Sequence, residues 1–322
     1  MDRRHPRNIH APWITMLRAL ALTAFLAAAA PALPQAGGAQ AQMTRGDAAM
    51  KAKDYVQALD AYQKAVASDP SLARAQYQIG WIYNEQKQYA QAVTALREAQ
   101  RLKASDDNTV AELAYSYRSL KQFQDALAAS LEVVRIKPGR AKAHYWAGWT
   151  YNELKQYGNA LPYLREAARI NPNDADAAFE LGYANRSLKD YPEALKSFLE
   201  SVRLNPKRQS AHYWTGWTYN ELKQYGNALP YLREALRLKA DDANSASELG
   251  FAYNSLKQYA EAAAAFEQAL QAKPDNAIAL RRLGSTYLAM GRKADAVQIA
   301  AKLQNIDKDR AQSLNAEISK AK

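Results

Sequence analysis

"AHYWAGWTYNELKQYGNALPYLREA" occupies Ala143–Ala167, and "AHYWTGWTYNELKQYGNALPYLREA" occupies Ala211–Ala235. One position distinguishes them, Ala147 against Thr215, and the copies lie 68 residues apart. Half of that spacing, 34 residues, organises the rest of the chain. Counting in steps of 34 gives Gly46, Gly80, Ala114, Gly148, Gly182, Gly216, Gly250 and Gly284. Twelve residues further on stand Ala58, Ala92, Ala126, Ala160, Ala194, Ala228, Ala262 and Ala296. Between them falls a ring, Tyr55, Tyr89, Phe123, Tyr157, Tyr191, Tyr225 and Tyr259, until Lys293 breaks the series. Proline often ends the unit, at Pro70, Pro138, Pro172, Pro206 and Pro274.

Each slot has a physical reason. Two helices of about 14 residues pack antiparallel across a short turn. Their axes approach closely only where small residues meet, hence Gly or Ala on the first helix and Ala on the second. The ring near the turn covers the open end of that contact. Proline stops the second helix, and the Asp and Asn of "NPNDA" and "KPDNA" are placed to cap the next one. Pro162 and Pro230 fall inside second helices and are expected in the first turn, after Asn159 and Asn227 as caps, where a missing N–H costs little.

Glycine, tyrosine three residues on (Tyr83, Tyr117, Tyr151, Tyr219, Tyr253, Tyr287), alanine and a terminal proline together resemble the tetratricopeptide repeat (TPR). Eight units are expected, at about 39–72, 73–106, 107–140, 141–174, 175–208, 209–242, 243–276 and 277–310. The resemblance implies an all-α fold, a right-handed superhelical solenoid of helix-turn-helix units. Residues 311–322 place Ala311, Leu314 and Ile318 on one face and are expected to form a C-terminal capping helix. Departures from the family pattern are Ala49 and Asn185 at the tyrosine slot, and Gln76, His144 and His212 where tryptophan is usual.

Residues 1–41 read differently. Arg3, Arg4, Arg7 and Arg18 precede the apolar run Ala19–Leu33, then comes "PQAGGAQA". This is the layout of a secretory signal peptide, with a cut expected after Ala41. The apolar run is shorter than the roughly 20 residues of a membrane span, and an uncleaved anchor is the other reading. Removing the leader lowers the formal charge from +11 to +8. The remaining Lys and Arg are spread along the repeats beside Glu, a solvated face more than a patch for an anionic polymer. No nucleic-acid module is present. The chain has no cysteine, which excludes disulfides, thiolate metal sites and a cysteine nucleophile.

The repeats alternate. Units two, four and six carry "Y-[QW]-x-G-W-x-Y-N-E", and units three, five and seven carry "E-L-[AG]-[YF]" followed by "SLK". At about 100° per residue, His144, Ala147, Gly148 and Tyr151 face the second helix, whereas Tyr145, Trp149 and Asn152 form another stripe and Trp146 points away from the pair contact. The resemblance implies that this second stripe lines a concave groove. The groove would hold Tyr77, Trp81 and Asn84; Tyr115 and Arg118; Tyr145, Trp146, Trp149 and Asn152; Phe179, Tyr183 and Arg186; Tyr213, Trp214, Trp217 and Asn220; and Phe251 and Asn254. Glu112, Glu180 and Glu248 alternate with Gln78, Trp146 and Trp214 at one slot. These rings either pack between neighbouring first helices and stiffen the solenoid, or form a ligand face of the kind in which Trp, Tyr and Arg dominate binding.

No HExxH motif, phosphate loop or nucleophile grouping is found, so the expectation is a non-enzyme with neither cofactor nor metal. His144 and His212 sit in equivalent slots, as one packing solution copied would. The expected role is a scaffold or adaptor of the cell envelope, periplasmic or secreted, binding a protein or peptide in the groove. A polysaccharide is the alternative ligand, and self-association stays open. No nucleic-acid partner is expected, and membrane contact only through the leader before it is cut.

Overall fold

In most repeats the first helix (A) and the second (B) close on each other because a glycine of A accepts a large side chain of B. In the computed structural model a Cβ built on Gly148 would fall 2.5 Å from Leu164 Cγ, and one on Gly216 would fall 2.5 Å from Leu232 Cγ. Gly80 meets Leu96 in the same way, and Gly182 and Gly250 lie against the rings of Phe198 and Phe266. The alanines twelve residues beyond these glycines are fully buried. Small residues thus let the backbones approach, and Leu or Phe fills the space that remains.

The structure describes residues 36–103 and 105–321. They form seventeen helices and no strand. The first helices of the pairs are α1 (Ala36–Lys51), α3 (Ala73–Glu85), α5 (Asp107–Ser119), α7 (Ala141–Glu153), α9 (Ala175–Ser187), α11 (Gln209–Glu221), α13 (Ala243–Ser255) and α15 (Ala277–Ala289). The second helices are α2 (Tyr55–Ser68), α4 (Tyr89–Leu102), α6 (Phe123–Ile136), α8 (Tyr157–Ile170), α10 (Tyr191–Leu204), α12 (Tyr225–Leu238), α14 (Tyr259–Ala272) and α16 (Lys293–Gln304), and α17 (Lys308–Lys320) follows.

The chain divides into two compact units, residues 1–78 and 79–322. In the first, α1 packs on α2 around Gly46 and Tyr62, whose hydroxyl donates to Asp47 at 2.8 Å. Arg74 also donates to Asp47. In the second, every helix from α4 to α16 packs on its successor, the arrangement of an all-α repeat solenoid. The leader read at 1–41 lies outside the described residues up to position 35, and α1 runs through the expected cut after Ala41. No helix among the described residues is long and apolar enough to cross a membrane.

The A-to-B turn repeats one backbone motif. Lys87, Lys121, Lys155, Lys189, Lys223 and Lys257 take φ between 58° and 64°, and Gly291 takes 76° in the eighth repeat. The next residue donates back to the carbonyl five positions earlier, as Gln156 N does to Tyr151 O at 2.8 Å. This left-handed C-terminal cap satisfies carbonyls that the helix end would otherwise leave open. At the other end, Asp106, Asp174, Asp242 and Asn276 cap α5, α9, α13 and α15 through their side chains.

Two expectations change. Pro162 and Pro230 are the sixth residues of α8 and α12, beyond the first turn, and the caps are Gln156 and Gln224 instead of Asn159 and Asn227. The helices begin at the aromatic residue because the lysine turn ends there. The carbonyls four residues before the prolines belong to Gly158 and Gly226, beside which nothing packs. The aromatic series does more than cover its own pair, because five of its rings also touch the following repeat. In the last repeat, Ala300 is too small to fill the space at Gly284, and Leu314 of α17 enters instead, 2.4 Å from where a Cβ would stand. Ala311, Leu314 and Ile318 are the buried residues of α17.

The glycine contacts make opposite expectations for two neighbouring sites. Gly148→Ala forces a Cβ into Leu164 and should destabilise the fourth repeat by about 1–3 kcal/mol. Gly158→Ala enters open space on α8 and should stabilise by up to about 1 kcal/mol. Hydrogen exchange of α7 and α8 amides reads both, since a solenoid opens locally.

Candidate functional site

The alternation of the repeats is an alternation of junctions between consecutive A helices. After an even repeat the junction is a hydrogen bond. Asn152 Nδ2 donates to Glu180 Oε2 at 2.9 Å and to the Glu180 carbonyl at 3.1 Å. Asn84 does the same to Glu112, and Asn220 to Glu248. After an odd repeat it is a cation on a ring. The Arg118 guanidinium lies 3.5 Å from the centre of the Trp146 ring, and that of Arg186 lies 4.2 Å from Trp214. The short Asn–Glu link brings α7 close to α9 and α11 close to α13, whereas the bulk of Arg and Trp holds α5 from α7 and α9 from α11.

A second series ties the same repeats together. The first ring of α4, α6, α8, α10 and α12 meets a ring on the A helix of the next repeat, edge to face. The pairs are Tyr89–Tyr115, Phe123–Trp149, Tyr157–Tyr183, Tyr191–Trp217 and Tyr225–Phe251, with centroids 5.8–6.2 Å apart. The identical spacing at five successive junctions marks these rings as fasteners.

The sequence-derived face therefore divides. Asn84, Asn152 and Asn220 are buried, and their amide donors are taken by the next repeat. Asn254 accepts from Thr286 at 3.1 Å. Phe179 is buried against Phe198, with Arg208 3.9 Å from its ring. Tyr145 and Tyr213 are half-buried beside Trp146 and Trp214, and burial pushes their phenols above the usual range. Tyr77 and Trp81 are half-buried. Trp149, Tyr183, Trp217 and Phe251 keep part of their surface beside their fastening contacts, and Tyr115 is 41% exposed. His144 and His212 are buried, each with Nε2 against a proline carbonyl, Pro138 at 2.7 Å and Pro206 at 2.9 Å. Among the described residues no group of three His, Cys, Asp or Glu is placed to hold a metal.

This face also has an open place among the described residues. A cleft of about 230 Å³ opens between α5, α6 and α7. Its floor is small or apolar, and Glu112, Tyr115, Arg118, Arg140, Lys142 and Trp146 stand around it. Arg140 donates to Asp107 at 2.7 Å. Burial pulls the Arg118 guanidinium down to about 10, and its side chain makes no hydrogen bond among the described residues. Burial also raises the Glu112 carboxyl, against the opposing hydrogen bond from Asn84. Helical periodicity identified Tyr115, Arg118 and Trp146 but missed Arg140 and Lys142, which lie at the start of α7. The available signal was Ser130, which breaks the series Tyr62, Leu96, Leu164, Phe198, Leu232 and Phe266.

Two consequences are measurable. Burial raises Glu180 to about 7, opposed by the Asn152 hydrogen bond. The folded chain then holds this proton more tightly than the unfolded one, whose value is about 4.3. Stability from this group is full below about 4.3 and falls as pH rises to about 7, by roughly 4 kcal/mol. Hydrogen exchange of α7 and α9 at pH 5 and pH 8 should show the loss in the parent and little of it in Glu180→Gln. Separately, Ser116 Oγ donates to Asn84 Oδ1 at 2.7 Å, while Asn152 Oδ1 is buried without a partner. Ala184 occupies the equivalent of Ser116, so Ala184→Ser should protect the same amides by about 1 kcal/mol.

Comparisons agree with this architecture. Models described as tetratricopeptide repeat match residues 18–73, 43–107, 112–175, 156–208 and 179–243, and a second matches 254–318. No curated protein matches the sequence. Among solved structures, a TPR repeat-containing protein from Cytophaga hutchinsonii aligns at TM-score 0.62 and 18% identity, over 75% of this chain and 99% of its own. One from Parabacteroides merdae aligns at 0.54 and 16%, over 78% and 99%. YrrB, described as a TPR protein with an unusual peptide-binding site, aligns at 0.53 and 22%, over 58% and 96%. With repeat models matching most of its length, the chain belongs to the tetratricopeptide repeat family.

Proposed function

We propose that this protein is a non-enzymatic interaction scaffold that holds a polypeptide partner on the face of its A helices. The observation that carries the reading is the open cleft between α5, α6 and α7, beside repeats two, four, five, six and seven whose A–B contacts are closed by their own Leu and Phe side chains. Concave sites with an apolar floor and a few convergent polar groups are where ligands bind. The similarity to YrrB, a peptide-binding TPR protein, supports a polypeptide as the occupant. The leader read in residues 1–41 supports export, and the scaffold is then a component of the cell envelope.

The test uses two variants of the full chain. Tyr115→Ala with Lys142→Glu alters the A-helix face, and Lys196→Glu alters an exposed residue of α10 that is 78% accessible. A protein recovered from the envelope fraction should bind the purified parent directly and saturably. It should bind Lys196→Glu equally and the face variant at least tenfold more weakly. Equal binding by all three proteins, or recovery of glycan alone, overturns the reading. N-terminal sequencing of the exported chain checks the leader, with Gln42 as the expected first residue.

A further inference from the structure

Two repeats within residues 79–322 lack the large B-helix side chain that closes the others. In the eighth, Ala300 stands at that slot and Leu314 of α17 takes its place. In the third, the slot holds Ser130, opposite Ala114 where most repeats have glycine. Ser130 is buried and donates to Ala126 O at 2.8 Å, and no side chain among the described residues fills the space in front of it.

The neighbouring copy shows what is missing. In the fifth repeat Phe198 occupies the Ser130 slot, and its ring stacks on Trp214 at 6.4 Å and 16°. Trp214 therefore has both Phe198 and Arg186 against it. Trp146 has Arg118 against it but no ring where Phe198 would be. The cleft of about 230 Å³ occupies that position. A dry cavity of about 150 Å³ already holds a benzene ring, so this one has room for a leucine or phenylalanine side chain.

The rim selects for charge. A guanidinium stacked on an indole keeps its planar N–H fork free for a carboxylate. Arg118 is in this state, with no acceptor among the described residues. Lys142 is exposed and forms no ion pair there, while Arg140 is held by Asp107. The single carboxylate in the cleft, Glu112, is bound by Asn84. The balance favours an anionic ligand with an apolar part.

We propose that the cleft between α5, α6 and α7 anchors the partner by one leucine- or phenylalanine-sized side chain, whose neighbouring acidic residue pairs with Arg118. This rests on the scaffold reading and names the chemistry of its ligand. The anchor is a single local feature, since the equivalent space at Trp214 is closed by Phe198. A short segment of polypeptide fits one such site better than a regular polymer that would need every copy.

The probe is an acetylated, amidated ten-residue Gly/Ser peptide containing one Phe-Glu pair, with Phe-Gln and Ala-Glu versions as controls. It is titrated into full-length protein carrying 15N-tryptophan, and the Trp146 indole signal is assigned through Trp146→Phe. The Phe-Glu peptide should shift that signal saturably, with both controls at least tenfold weaker. Arg118→Gln should weaken the Phe-Glu peptide at least tenfold. Ala114→Gly with Ser130→Leu gives the third repeat the glycine and leucine of its siblings, and should fold and lose the response. Absence of a saturable shift in the parent, equal affinity for Phe-Gln, or unchanged binding by either variant overturns the proposal. If the double variant does not fold, Arg118→Gln decides alone. A shift with a galacturonate oligomer but none with the peptide overturns the polypeptide occupant. A captured protein that binds the folded double variant as tightly as the parent overturns the anchor while leaving the scaffold standing.

Discussion

The contact between an A-helix glycine and a B-helix Leu or Phe is the constraint on which the rest of this structure depends. It sets how closely each pair packs, and it leaves no room for even one added carbon at Gly148, Gly182, Gly216 or Gly250. A repeat protein has no central core to absorb an error in one unit. Its stability is a sum of unit terms and neighbour terms. Close packing within each pair makes the rows of A-helix side chains regular, and that regularity lets one repeat meet the next in register.

The neighbour terms come in two kinds, which gives the 68-residue period a physical basis. An Asn–Glu junction is short and directional. An Arg–Trp junction is bulky and rests on a charge over a ring. Each needs a donor on one repeat and its own acceptor on the next, so a repeat of one type is complementary to neighbours of the other. Duplication of a two-repeat segment preserves both junctions, whereas duplication of one repeat would place Asn against Trp and Arg against Glu. The aromatic fasteners ignore this alternation, and their five centroid separations agree within 0.4 Å across both junction types.

Function enters where the rule of the repeat is relaxed. Ala114 and Ser130 stand where most repeats have glycine and Leu or Phe, and this small pair cannot fill the volume that the large side chain fills elsewhere. The eighth repeat has a similar deficit and covers it with α17. The third repeat lies inside the array, where no terminal helix reaches, and its space opens beside Arg118 and Trp146. Arg118 is partly buried there, with its guanidinium against the Trp146 indole.

Periodicity by itself determined the repeat, the helix pairs, their lengths and the alternation, because the requirement for small residues at a close helix crossing is written at fixed spacing. It also separated the pair-facing stripe at Gly148 and Tyr151 from the stripe at Tyr145 and Trp149. Only the tertiary structure decided what that second stripe touches. A helical wheel gives the direction of Asn152 but not that Glu180, 28 residues later, stands there to receive its amide. Nor does it give the position of Phe123 beside Trp149. Those contacts depend on how far one helix pair stands from the next, a distance set by the summed bulk of side chains from several repeats. Ser130 was visible in the sequence as a broken series, but whether another side chain fills its place is a property of the packed array.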